Sequence, residues 1–243
     1  VSVLYWQPAI DSNAHRAIAA LMRGEGEAAA ETWLRSSRQH LPPATIVVSA
    51  CLLGQPVSWR GGAARPRLPV QALRNLESRC PWLLRLAGVC PELVLGVPRP
   101  PIRMLQSGAV VTRGGGNVTE TLANSCKSLV SVRGGVLQVA TDATWYPVDG
   151  CVLKRRSPAC ALIDGRSYAH PETLTEFHES PGVFAQHIQR LGAETDEWAR
   201  LGPLPMADER SLATFPLAAE GSHDATSGAV SFVLAVLQRC DAR

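Results

Sequence analysis

The chain has 243 residues, 46% of them hydrophobic and 19% charged, with a net charge of +3 and a mean hydropathy of +0.02. Such a chain is long enough to bury a full core, and its composition excludes a largely disordered protein. The mild charge excludes a strongly basic nucleic-acid footprint, and no apolar run reaches the about eighteen residues of a transmembrane helix.

In chain order, residues 12–40 are rich in Ala, Leu, Glu and Arg and predict two helices with Gly24 as the break between them. Leu41-Pro42-Pro43 closes that section, and from Thr45 the texture changes. Ile46-Val47-Val48 is short and β-branched, as a buried strand is. Residues 70–76, after Pro69, predict a helix, and 84–89 a further apolar strand. Beyond it, 119–130 reads as a helix, 135–140 and 151–154 as strands, and 183–191 as a helix stopped by Gly192. The stretch 201–219 is broken by Pro203, Pro205 and Pro216 and is expected to be irregular, whereas 229–238 predicts a terminal helix packed on the core. Short strands alternating with helices predict an α/β fold, a Rossmann-like open and mostly parallel sheet flanked by helices, with extra helical segments at both ends. We divide the chain into an N-terminal helical extension (1–43), an α/β domain (44–201) and a C-terminal extension packed on the core (202–243).

The seven cysteines are Cys51, Cys80, Cys90, Cys126, Cys151, Cys160 and Cys240. Their number is odd, and residues 1–6 carry no basic region ahead of their short apolar stretch. Neither an export signal nor a disulfide framework is expected, and a cytoplasmic location is. Two of the cysteines close apolar runs and a third lies beyond one: Cys51 follows Val48-Ser49-Ala50, Cys90 follows Ala87-Gly88-Val89, and Cys160 lies in the loop after Cys151-Val152-Leu153-Lys154. Ligands of an open parallel sheet collect beyond the carboxyl ends of its strands. If these three runs share a sheet, the three thiols share one edge. Three thiolates without a nearby histidine or fourth cysteine suit an iron–sulfur cluster with one open iron. The alternative is that each is an inert small hydrophobe at a strand end; structural zinc is disfavoured because the paired ligands of zinc ribbons are missing.

Motifs around these cysteines carry a resemblance. Val48-Ser49-Ala50-Cys51-Leu52-Leu53-Gly54 resembles the opening motif of the thiouracil desulfidase family, long catalogued as a domain of unknown function, and Cys90-Pro91-Glu92 resembles its second. Val111-Thr112-Arg113-Gly114 with Asn117-Val118-Thr119 is similar to the third, and Leu153-Lys154-Arg155-Arg156-Ser157-Pro158-Ala159-Cys160 to the fourth. Pro181-Gly182-Val183-Phe184 with Leu191-Gly192 is similar to a weaker closing motif, so the likeness runs from about Thr45 to about Leu201. The resemblance implies a [4Fe–4S] cluster on Cys51, Cys90 and Cys160, with Glu92 as the acidic residue and Ser157 as the hydroxyl beside it. Two positions depart from the family's pattern: Ala161 stands where glycine usually follows the last cysteine, and Pro101 where an arginine is usual, flanked by Arg99 and Arg103.

These residues outline a chemistry. A soft thiocarbonyl sulfur suits an open iron, which would make the carbon–sulfur bond attackable by water. Glu92 is the candidate general base and Ser157 the group that positions the base or relays a proton. Trp59 is a candidate for stacking on a planar base, although a packing role suits it equally. Ser49, next to the first cluster cysteine, and Lys154, with Arg155 and Arg156, are the remaining candidates for substrate or charge contacts. Gly114-Gly115-Gly116 matches neither a Walker loop nor a dinucleotide fingerprint, and reads as a flexible turn whose amides could line a pocket. The expected ligand is a small thiobase or thionucleoside, with no membrane and no clear nucleic-acid surface, and with homodimerisation open. Two other functions compete: a sulfur transferase of the tRNA-thiolating type, which would need an ATP loop and a larger basic surface, and a non-catalytic cluster-binding redox sensor.

Overall fold

A computed structural model describes residues 12–25, 27–65, 67–172, 175–214 and 225–243; the stretch 1–6 and Pro216, both read above, lie outside these. The chain opens with helices α1 (Ser12–Arg23) and α2 (Glu27–Arg38), divided at Gly24 as the sequence predicts. Ala17, Ile18, Leu21 and Met22 of α1 form one buried stripe at helical spacing.

Strand β1 (Ala44–Ser49) is buried along its whole length, as befits a central parallel strand covered on both faces. Helix α3 (Leu68–Arg79) follows, with Pro69 in its first turn, and leads to β2 (Leu84–Val89). Later come α4 (Thr119–Leu129), β8 (Gly150–Leu153), α5 (Val183–Ala193), α6 (Asp196–Leu201), β11 (Met206–Asp208) and the terminal helix α7 (Ala225–Ala242). The central sheet has the order β11-β8-β1-β2, and every pairing in it is parallel. The expected open parallel α/β sheet is therefore present.

Alternation along β1 builds the two cores. Ile46 and Val48 face one side with α1, α3 and α7, while Val47 faces the other with α4 and α5. Phe232 of α7 and Phe184 of α5 are fully buried in these two layers. Burying such a ring stabilises a fold by roughly 1.5–3 kcal/mol.

Several features depart from the sequence reading. Residues 135–140 do not join the central sheet: β6 (Val136–Thr141) pairs antiparallel with β5 (Val130–Arg133) and β7 (Thr144–Pro147) in a small separate sheet. A third sheet of order β10-β9-β3-β4 joins Phe177–Ser180, Gly165–Tyr168, Ile102–Leu105 and Val110–Thr112. The expected irregular stretch after Leu201 contains β11, whose pairing with β8 brings the segment after residue 202 into the central sheet. Gly192 does not stop α5, which runs on to Ala193. A β-carbon there would lie 1.5 Å from the Trp198 ring, so Gly192 makes room for α6.

Candidate active site

The register of the central sheet aligns the carboxyl ends of three strands. Ser49 of β1 pairs with Val89 of β2, and Val48 with Val152 of β8. Cys51 lies just past β1 in a short 3-10 turn (Ala50–Leu53), and Cys90 directly after β2. Cys160 lies in the loop after β8 and is buried, while the other two are half-buried. The three thiols thus occupy one sheet edge, where ionising Cys51 or Cys90 would oppose ionisation of Cys160. Burial, reinforced by the Cys90 sulfur, pushes the Cys51 thiol up to about 11, with the Lys154 ammonium pulling the other way. Burial raises Cys90 too, followed by the Glu92 charge. It raises Cys160 most strongly of the three, against a hydrogen bond with the Ser49 hydroxyl.

Glu92 sits in the first turn of a second 3-10 helix, η2 (Pro91–Leu95), opened by a proline that fixes φ. Ser125 Oγ of α4 donates to the Pro91 carbonyl at 2.8 Å and braces that helix from behind. The Glu92 carboxylate is held on both sides. Arg99 donates to Oε2 from Nη2 at 2.8 Å and from Nε at 3.3 Å, and Ser157 Oγ lies 3.4 Å from Oε1. Ser157 also accepts the amides of Ala159 at 3.2 Å and Cys160 at 3.1 Å, so the same hydroxyl shapes the turn that presents the third thiol.

Arg99 went without a role in the sequence reading, being noted only as a neighbour of Pro101. Its side chain is 2% exposed, and Nη1 donates to the carbonyls of Val57 at 3.0 Å and Gly96 at 3.3 Å. The Cys90 thiol points to the same Val57 carbonyl at 3.9 Å.

The other predicted residues fall as follows. Ser49 is buried at the end of β1, its Oγ accepting Lys154 N at 3.0 Å. The hydroxyl therefore ties strand ends together. Trp59 is 40% exposed, with the Arg60 guanidinium 4.4 Å from its ring centroid, and its carbonyl accepts Arg99 N at 3.0 Å. Lys154 Nζ is bonded to Glu209 Oε1 at 2.5 Å, and the other Glu209 oxygen accepts Arg155 N at 2.8 Å. Asp164 receives Arg155 Nε at 2.8 Å and Arg156 N at 2.9 Å; against the opposing effect of burial, these bonds hold its carboxyl below the usual range. Two of the three adjacent bases are thus neutralised by carboxylates that sequence reading missed. Of the Gly114-Gly115-Gly116 amides, those of Gly115 and Gly116 bond back to Thr112 and close the turn on itself.

The donor set fits an iron–sulfur cluster. Three soft thiols arrive from three loops at one edge, where burial disfavours free thiolates unless a cation compensates them. Among the described residues no three His, Cys, Asp or Glu side chains are grouped to hold a single metal ion. Cys51, Cys90 and Cys160 would instead hold a cluster of several irons, for which soft thiolates are the preferred ligands. No helix among the described residues is long and apolar enough to cross a membrane.

Fold and site together define an α/β protein whose parallel sheet gathers three thiols and an arginine-held carboxylate at its carboxyl edge. The family model of 2-thiouracil desulfurase matches residues 46–196, more than half of the chain, and the protein belongs to that family. Among solved structures it is similar to one described as a [4Fe–4S]-dependent thiouracil desulfidase, TudS (DUF523Vcz), at 25% identity and a TM-score of 0.46, over 70% of this chain and 93% of that one. No curated protein matches.

Proposed function

We propose that the protein is a desulfidase that replaces the sulfur of a thiolated pyrimidine, 2- or 4-thiouracil or its nucleoside, by oxygen. In this reading Cys51, Cys90 and Cys160 hold a [4Fe–4S] cluster. Membership of the 2-thiouracil desulfurase family supports the substrate class. The observation that carries the site is the contiguity of the three-thiol edge with the Glu92–Ser157 pair.

When bound, the cluster supplies a Lewis-acidic iron without a protein thiolate, suited to a soft thiocarbonyl sulfur. Glu92 Oε1 accepts a proton from the attacking water, while Arg99 holds the opposite carboxylate oxygen. The Ser157 hydroxyl, fixed by two backbone amides, steadies Oε1. Trp59, 40% exposed beside the Arg60 guanidinium, is the ring available to stack on a planar base. Lys154 acts through its charge, which is felt at Cys51, and Ser49 through its hold on Cys160. Water oxygen bonds to the ring carbon, the carbon–sulfur bond breaks, and both water protons end on sulfur, one of them by way of Glu92. The products are the oxo base and hydrogen sulfide, with no net electron transfer. Seven free cysteines suit a reducing, cytoplasmic setting.

Anaerobic reconstitution with iron and sulfide, followed by sulfide release from 2-thiouracil, 4-thiouracil and 4-thiouridine, tests the reading. Glu92→Ala is expected to keep its iron and brown colour while losing on the order of 10²–10⁴ in rate. Wild-type rates in that variant would remove Glu92 as base. A fully loaded wild type that releases no sulfide from any of the three would overturn the function.

A further inference from the structure

We propose that Arg99 is a positioning residue that selects which oxygen of Glu92 works: it occupies Oε2 and leaves Oε1 to the water. The inference rests on the reading of Glu92 as base. Both Nε and Nη2 converge on Oε2, at 3.3 and 2.8 Å, whereas Oε1 has the longer Ser157 contact at 3.4 Å. Glu92 keeps 13% of its side chain exposed and Arg99 2%, so solvent reaches the Glu92 side chain while its anchor is almost sealed.

The opposite edge of the guanidinium explains why the anchor is firm. Nη1 bonds Val57 O at 3.0 Å, in the loop after Cys51, and Gly96 O at 3.3 Å, at the end of η2. The Arg99 amide adds Trp59 O at 3.0 Å. One planar group therefore references the Glu92 carboxylate to backbone on two sides of the site. Arginine is suited to this because its donors form a rigid fork; a lysine ammonium is a point charge that can serve the carboxylate or the carbonyls, but not in this fixed pattern. Misplacing a reacting group by about 1 Å can cost on the order of 10²-fold in rate.

The experiment combines Arg99→Lys with Glu92→Gln, singly and together. Arg99→Lys is expected to lower kcat by roughly 10–100-fold while KM for 2-thiouracil stays within about twofold and iron content is unchanged. In the Glu92→Gln background the same substitution is expected to change kcat by less than about twofold, because the carboxylate it positions is gone. Arg99→Gln, shorter and uncharged, is judged by the same cycle if the lysine variant is unstable. Multiplying losses, or a lysine variant with wild-type kcat, would overturn the inference. A crystal structure of cluster-free Arg99→Lys reads positioning without turnover. The Glu92 carboxylate should leave its place while the three cysteines keep theirs, and an unmoved carboxylate sinks the proposal even if the wild type proves inactive on thiobases.

Discussion

A β-carbon on Gly182 would lie 2.4 Å from the Ala159 carbonyl oxygen and 2.8 Å from the Cys160 amide nitrogen, so α5 begins directly against the loop that holds the third thiol. The glycine φ of −71° is open to any residue, and the requirement is therefore space. Hydrogen bonds close the contact: Val183 N to Pro158 O at 3.1 Å, and Phe184 N to Ala159 O at 2.8 Å.

Gly182→Ala must push two backbones apart, which in a packed interior costs about 1–3 kcal/mol. We expect a melting temperature lower by several degrees and fewer irons retained per chain after reconstitution. Calorimetry and an iron assay read both. A variant that melts and loads like the wild type would show that the loop has slack there.

The cysteines divide by position. Cys51, Cys90 and Cys160 stand at the carboxyl edge, whereas Cys151 pairs in register with Val47 in the middle of the sheet and Cys126 is buried in α4. Alanine at any one of the first three is expected to abolish stable iron binding; alanine at Cys126 or Cys151 is expected to leave full iron and labile sulfide at some loss of stability. Full loading of a Cys160→Ala variant would remove that residue from the ligand set.

The strands that build this edge were legible because each is a short apolar run, and parallel burial on both faces demands that composition. That Cys51, Cys90 and Cys160 follow strands of one parallel sheet was legible from one topological rule. The acceptors around them were not legible. Glu209 meets Lys154 from 55 positions away, across the pairing of β11 with β8, and no periodicity marks such a partner. Strand β11 itself is three residues lying close after two prolines, too brief for a pattern. Arg99 looked like an ordinary loop arginine, since only folding brings Val57 O and Glu92 to opposite edges of its guanidinium.

The Lys154–Glu209 pair makes an asymmetric prediction. Glu209 has 7% of its side chain exposed and Lys154 32%, so the carboxylate is the member that cannot recover water when its partner goes. Lys154→Met is therefore expected to destabilise the fold more than Glu209→Gln, which keeps an acceptor for Arg155 N. Denaturant unfolding of the two variants ranks them. The reverse order would mean that the bond to Arg155 N, and not the ion pair, holds this loop.

Asp149 precedes β8, at the end opposite the three edge thiols, and is expected to give the fold a pH response of its own. It is fully buried, with Thr45 N on Oδ2 at 2.8 Å and Arg243 Nη1 on Oδ1 at 2.6 Å. Burial raises its carboxyl from the usual 3.8 to about 6; Arg243, Thr45 N and Arg239 oppose the rise, and Glu197 adds to it. The folded chain therefore binds this proton more tightly than the unfolded chain. The resulting stability is complete below pH 3.8 and is lost as pH climbs through about 6. Ionising Asp149 costs the fold up to about 3 kcal/mol across that window. Asp149→Asn, neutral at every pH, is expected to match the wild type near pH 4 and to gain on it steadily towards pH 7. Subtracting the two unfolding free energies at each pH cancels the other carboxylates. A difference that stays flat from pH 4 to 7 would mean that Arg243 keeps Asp149 ionised throughout, with the ion pair outweighing burial.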